Sequence, residues 1–194
     1  MTLMGLAYML EDRTGLLTRT DFDDIYERLF LRIAQSPQQS ADASFSMIYD
    51  MGRRSSASGS DERRHYHYQP SVVLQFGHDA SLGTIHFAHA SGSLSIPMSR
   101  YLRKSSFLGR SLSRKFKASD GQDYKWDYRV VQSQEWTCLS PDNHIIAHYD
   151  LKPADKLAYG SSGNLLTIRE EFAHLAIEIL ASLTIMRHIA EHRL

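Results

Sequence analysis

Residues 169–194 read REEFAHLAIEILASLTIMRHIAEHRL and carry the strongest fold signal in the chain. Acidic residues open this stretch and basic residues close it, which is the charge order that complements a helix dipole. The residues between are apolar on most sides of a helix, and the polar exceptions His174, Glu178 and Ser182 recur four residues apart on one narrow stripe. A helix of this composition must be buried nearly all round. The sequence therefore predicts a buried helix from about Glu170 to His192.

Upstream of this helix, from Ser44 onward, the chain has the pattern of short strands separated by turns. Ser119–Gly121 is a hairpin signal because Asp-Gly tolerates positive φ, and Ser140–Asn143 predicts a second turn. Such runs, spaced about 8–12 residues apart, are typical of antiparallel barrels and sandwiches. We therefore predict a mainly β fold, an antiparallel β-barrel enclosing the apolar C-terminal helix. The strand-like runs are Phe45–Tyr49, Val72–Phe76, Ile85–Phe87, Leu94–Ile96, Tyr124–Val130, Trp136–Cys138, Ile145–Tyr149 and Leu165–Ile168.

Two segments do not follow the strand pattern. Residues 22–33 place apolar side chains at helical spacing, but they are Tyr, Phe, Leu and Ile, most of which also suit sheets, so both helix and strand remain open. Residues 51–64 are small, polar and charged, and they have no periodic apolar side chain to offset the entropy of ordering. We expect them to form a mobile insertion within a single domain that spans residues 1–194.

Composition limits the classes of function. The chain has 194 residues, equal numbers of acidic and basic side chains, and one cysteine, Cys138. Zero net charge gives no overall attraction to nucleic acid, so no nucleic-acid partner is expected. A lone cysteine excludes an internal disulfide framework and favours a reducing compartment. The first residues lack the pattern of a secretory signal, and we predict no transmembrane segment. The expected location is cytoplasmic, with peripheral membrane association if charge is concentrated locally.

The chain shows no signature of catalysis, metal binding or a cofactor. Gly-x-Ser-x-Gly, the phosphate loop and Gly-x-Gly-x-x-Gly are all missing from the sequence. His65 and His67 have no further ligand at suitable spacing, while His188 and His192 suit the last turn of a helix, where imidazolium complements the dipole. Cys138 lies in a strand pattern and reads as a small buried thiol. We therefore assign no catalytic residue, metal ligand or cofactor.

One segment, from Arg100 to Lys117, concentrates positive charge without any acidic residue. Such a stretch could bind the phosphate groups of lipid headgroups. The alternative is a solvated edge strand that its lysines and arginines keep soluble, which is a common device. The seven candidate residues for lipid or anion binding are Arg100, Arg103, Lys104, Arg110, Arg114, Lys115 and Lys117.

The chain from Arg114 onward resembles a known family. Phe116–Trp126 reads FKASDGQDYKW and is similar to the F-x-a-x-D-G-x-x-Y-x-W hallmark of a fungal domain family of unknown function. Ile146–Tyr149 and Leu165–Ile168 look like the next and the last strands of that family. The resemblance links the chain to the tubby-like superfamily, which includes LURP-one-related proteins and phospholipid scramblases. It implies a closed β-barrel around a central C-terminal helix, and it implies no catalytic residues.

These observations together predict a non-enzymatic binding domain of the tubby-like type. Its expected partner is an acidic phospholipid headgroup, bound peripherally through the basic segment Arg100–Lys117. The alternative is a protein-interaction or regulatory module that does not bind lipid and is switched through its Arg/Ser insertion.

Overall fold

The computed structural model describes residues 5–36, 43–53, 69–77, 79–89, 92–105, 111–150 and 164–194. These residues form one antiparallel sheet of 13 strands and a C-terminal helix, which confirms the predicted mainly β fold. The strands are β1 (Tyr8–Asp12), β2 (Thr20–Asp24), β3 (Phe30–Gln35), β4 (Ala43–Asp50), β5 (Val72–Gly77), β6 (Thr84–His89), β7 (Gly92–Pro97), β8 (Arg103–Lys104), β9 (Arg114–Lys117), β10 (Asp123–Tyr128), β11 (Gln134–Leu139), β12 (Ile145–Asp150) and β13 (Asn164–Ile168).

The sheet follows chain order except at one place, where β1 pairs with β13 and joins the two halves of the chain. The edge strands are β7 and β8, and the short helix α1 (Met98–Tyr101) connects them. No ladder of hydrogen bonds joins β7 to β8 in the described residues, so the sheet is not a closed barrel there. Pro97 ends β7, and α1 follows directly. The next strand, β8, has only two residues. The predicted closure of the barrel is therefore not confirmed.

The C-terminal segment is a 3₁₀ helix (Glu170–Leu175) that continues into α2 (Ala176–His192). Ile179, Leu183 and Met186 are almost fully buried, which confirms the predicted buried helix. By length and composition alone Glu170–His192 could cross a membrane, but 67% of its apolar window is buried inside the protein. That degree of burial is what a core helix shows. Side chains of several strands meet α2 in one hydrophobic core.

The polar stripe on the C-terminal helix faces the hairpin formed by β9 and β10. The Glu178 carboxylate accepts hydrogen bonds from the backbone N–H and the hydroxyl of Ser119 in the hairpin turn. Four residues further along, the Ser182 hydroxyl accepts a hydrogen bond from the Trp126 indole at 2.9 Å. These contacts explain why Glu178 and Ser182 occur on a mainly apolar helix.

The predicted turn at Ser119–Gly121 is confirmed, and its residues have structural roles. Gly121 has a φ of +81°, a conformation that glycine adopts readily because it has no side chain. The Asp120 carboxylate accepts hydrogen bonds from the Gln122 backbone N–H and from the Tyr124 hydroxyl. The turn and the aromatic side chains after it therefore form one unit that packs on α2.

Residues 22–33 form the end of β2, a turn and the start of β3, so the helical alternative is wrong. Phe22 of β2 lies opposite Leu31 of β3, and a turn connects the two strands. The Asp24 carboxylate accepts hydrogen bonds from the Arg28 backbone N–H and guanidinium, which closes that turn. Glu27 has a φ of +58°, a conformation that interrupts a helix.

Part of the predicted insertion lies outside the described residues. Only residues 51–53 of the predicted insertion 51–64 are described. The backbone carbonyl of Gly52 accepts a hydrogen bond from the backbone N–H of Phe30. The histidine pair His65 and His67 also lies outside the described residues.

Candidate functional site

The basic segment lies at one edge of the sheet, on β8 and β9. Arg103 of β8 is directly opposite Lys115 of β9, and Lys125 of β10 is opposite Lys115 on its other side. Directly opposite residues of an antiparallel pair share one face, so these three cations form a row across three strands. Lys117, two residues further along β9, lies on the same face. We refer to Arg103, Lys115, Lys117 and Lys125 as the basic strip.

Two carboxylates compensate part of the charge on the basic strip. Asp123 forms an ion pair with Arg103 at 2.9 Å, and Asp127 forms one with Lys125 at 2.9 Å. Lys115 and Lys117 are exposed and have no ion pair within the described part of the chain. The four cations of the strip and these two carboxylates together carry a net charge of +2, which we use as the charge of the strip. Sequence reasoning did not include Lys125, because it lies beyond the acid-free segment.

The remaining predicted residues are placed differently from one another. Arg100 on α1 and Lys104 on β8 are exposed, but Lys104 is opposite Arg114 and therefore lies on the other face from the strip. Arg114 is buried, with 3% of its surface exposed, and its guanidinium donates to the backbone carbonyls of Ser111 and Leu194. This burial lowers the pKa of Arg114. Arg114 therefore holds the C-terminus against β9, while Arg110 lies outside the described residues.

A second feature is a cavity of about 1070 Å³ at the C-terminal end of α2. Beside it, the Asp12 carboxylate accepts a hydrogen bond from the Tyr149 hydroxyl at 2.7 Å. Arg187 of α2 lies 3.5 Å from the same carboxylate and 4.8 Å from the centre of the Tyr149 ring, and it donates to the Gly15 carbonyl at 2.7 Å. Sequence reasoning missed this cluster, because its members come from β1, β12 and α2.

Two aromatic contacts position His188 at the same cavity. Its ring stacks on Phe76 with centroids 4.0 Å apart and lies 4.4 Å from the ring of His192. Its Nε2 is 2.7 Å from the Ala80 carbonyl oxygen, and burial lowers the pKa of His188. The described residues contain no group of three or more His, Cys, Asp or Glu side chains that could hold a metal.

The single thiol lies in the interior. Cys138 is fully buried on β11, as its strand pattern predicted, and burial raises its pKa well above the usual value. A protonated thiol enclosed by the core is a poor nucleophile. Its environment is that of a packing residue.

The fold and the two sites define a mainly β domain with a buried C-terminal helix, a basic outer strip and a cavity at the C-terminal end of α2. The chain belongs to DUF6593, a family of unknown function, whose match covers residues 35–192. That range includes β4–β13 and α2, and it leaves β1, β2 and all of β3 except Gln35 outside. Comparison with curated proteins and with solved structures found no match.

Proposed function

We propose that this protein is a non-enzymatic binding domain that associates peripherally with acidic phospholipid headgroups through the basic strip. The observation that carries the proposal is the row formed by Arg103, Lys115 and Lys125 on neighbouring strands. A row of cations on one face can approach a planar anionic surface together, whereas cations on alternating faces cannot. Arg100 adds an exposed positive charge on α1, which precedes β8 in the chain.

The expected strength of this association is low. An exposed Lys or Arg near an anionic membrane contributes about 1 kcal/mol. Because Asp123 and Asp127 neutralise two members of the strip, the uncompensated cations total only a few. Binding should therefore be weak, reversible and sensitive to salt.

We also propose the tubby-like fold type for this domain. An apolar C-terminal helix that shares one hydrophobic core with the antiparallel sheet supports that assignment, as does the docking of the Phe116–Trp126 hairpin on α2. The open junction between β7 and β8 departs from a fully closed barrel.

Vesicle sedimentation with a charge-reversal variant tests the lipid proposal. Lys115→Glu with Lys117→Glu changes the charge of the strip from +2 to −2, and both side chains are exposed, so folding should be unaffected. Arg19→Glu with Arg53→Glu makes the same change of formal charge at exposed positions elsewhere. Phosphatidylserine vesicles should sediment the wild type and the control variant but not the strip variant. Equal loss in both variants, or no loss in either, contradicts the proposal.

A second candidate function, protein interaction, is favoured by the opposite edge of the sheet. β7 pairs only with β6 among the described strands, and its residues are mostly exposed, including Leu94 at 49%. An exposed edge strand can accept a strand from a partner protein. A domain that ignores anionic vesicles even at low salt would make this candidate the stronger one.

A further inference from the structure

The cavity at the end of α2 has the size and the lining of a small-molecule site. Its volume of about 1070 Å³ is slightly above the range of about 300–1,000 Å³ that is usual for ligand pockets. Aromatic and charged side chains both line it, which allows apolar contact and oriented polar contact in one place. The residues that matter for its chemistry are Tyr128, Glu135, Trp136, Tyr149, Arg187 and His188.

An irregularity in β11 brings two of these side chains to the cavity. Gln134 of β11 is opposite Asp150 of β12, and Trp136 is opposite Tyr149. Because Asp150 and Tyr149 are consecutive, Glu135 has no partner residue on β12 and is an extra residue of β11. Neighbouring residues of a regular strand point to opposite faces, yet both Glu135 and Trp136 line the cavity. Such bulges redirect side chains and occur preferentially beside functional sites.

The Glu135 carboxylate lies at the cavity without a direct partner. Its side chain is partly buried, and it has no hydrogen bond or ion pair with the described residues. Burial raises its pKa, although the positive charges of Arg187 and Arg129 act in the other direction. Burying a carboxylate without a partner is unfavourable, and a bound cation would relieve that cost.

The neighbouring Trp136 also has an unused polar group. Its indole Nε1 is fully buried and has no hydrogen-bond acceptor among the described residues, whereas the Trp126 indole donates to Ser182. The ring of Trp136 lies 4.7 Å from that of Tyr128, centroid to centroid. Because Trp136 is fully buried, the accessible ring is that of Tyr128, which lines the cavity together with the Glu135 carboxylate, an arrangement that suits organic cations.

The balance of charge around the cavity also favours a cation. Arg187 lies within ion-pair distance of Asp12, and it bonds to the Gly15 carbonyl, so its charge is already compensated. Glu135 and Glu191 line the cavity in addition, which leaves the lining net negative when the histidines are neutral. An anionic ligand would meet this excess negative charge.

We propose that the cavity binds a small organic cation, an amine with an aromatic or apolar body. The ammonium group lies against the Glu135 carboxylate, and the body lies against the ring of Tyr128, which packs on the buried Trp136. The site is independent of the membrane proposal: Lys125 and Tyr128 both belong to β10, but they lie on opposite faces of it, and only Tyr128 lines the cavity.

Three probes that share a 4-hydroxyphenylethyl body and differ in the charge of the end group test this site: tyramine, the neutral alcohol tyrosol, and the anion 3-(4-hydroxyphenyl)propionate. The chain has two tryptophans, so its ¹⁵N spectrum has two indole signals, which a Trp136→Phe variant assigns. Tyramine at millimolar concentration should shift the Trp136 indole and leave the Trp126 indole unchanged. Tyrosol should bind at least about tenfold more weakly because it lacks the charge-assisted contact, and the anion should not bind.

Variants of Glu135 separate a specific contact from a general loss of structure. Glu135→Gln should weaken tyramine binding by about tenfold or more, and Glu135→Asp, which keeps the charge on a shorter side chain, should fall between it and the wild type. Glu171→Gln, an exposed acid at the other end of the helical segment, should bind like the wild type. Equal affinity for the three probes, no effect of Glu135→Gln, or no shift of the Trp136 indole would overturn the proposal.

Discussion

Ser182 lies in the middle of α2 and connects the helix to β10 by a hydrogen bond that can be measured. Its hydroxyl accepts from Trp126 Nε1 at 2.9 Å and donates to the Ile179 carbonyl at 3.0 Å, and both side chains are fully buried. Ser182→Ala leaves the indole N–H buried without an acceptor, which costs about 1–3 kcal/mol. Alanine offsets up to about 0.5 kcal/mol through its higher helix propensity. We expect a net loss of about 1–2 kcal/mol in the free energy of unfolding.

A double-mutant cycle in urea isolates this contact. In a Trp126→Phe background the donor is missing, so Ser182→Ala should cost much less, with a coupling energy of about 1 kcal/mol. Thr184→Val is the matched control, because the Thr184 hydroxyl donates only to the Leu180 carbonyl of its own helix. A change below about 0.3 kcal/mol for Ser182→Ala, or strictly additive effects, would refute the reasoning.

Three further predictions concern the core and the cavity. Ile179→Asp should abolish cooperative thermal unfolding, since an unpaired charge at a fully buried position costs several kcal/mol, and a cooperative transition near the wild-type temperature would contradict this. Burial raises the folded-state pKa of Glu135, so this carboxyl favours folding below its unfolded pKa, and that contribution is lost as pH rises through the folded pKa. Glu135→Gln should therefore raise the melting temperature at pH 7 relative to wild type but not near pH 4, and an unchanged difference across this range would be evidence against the buried carboxylate. Burial lowers the pKa of His188, so its contribution is present above its unfolded pKa of about 6.5 and is lost as pH falls through the folded pKa. His188→Gln should flatten the decline of melting temperature on acidification, and an unaltered slope would count against this role.

The helix and the hairpin could be predicted because their signals are local. The apolar residues around Ile179 require burial on most sides, and Gly121 provides the positive φ of its turn. Both statements depend on neighbouring residues alone. The same holds for Trp136, whose alternation with Cys138 marks an inward-facing pair on β11.

Strand faces and the segment 22–33 could not be predicted in this way. On β4 the alternation suggested by Phe45 and Met47 is real, but the structure buries Ser46 and Ile48 instead. The face is set by pairing with β3 and β5, and a shift of one residue exchanges the two faces.

The cavity depends on contacts that no local pattern contains. Asp12 and Arg187 meet only because β1 pairs with β13 and α2 returns beside them. Glu135 reaches the cavity through a mismatch between β11 and β12, which is a property of two strands together. Arg114 likewise belongs by sequence to the basic segment, but it binds the carbonyl of Leu194 at the far end of the chain.

The salt dependence of vesicle binding tests the central functional claim most directly. Raising the salt concentration from about 0.01 M to about 0.15 M shortens the Debye length from about 30 Å to about 8 Å. Binding of the wild type to phosphatidylserine vesicles should then fall steeply, because exposed Lys115 and Lys117 supply the attraction. Binding that stays constant over this range, or no binding even at the lowest salt concentration, would contradict the claim.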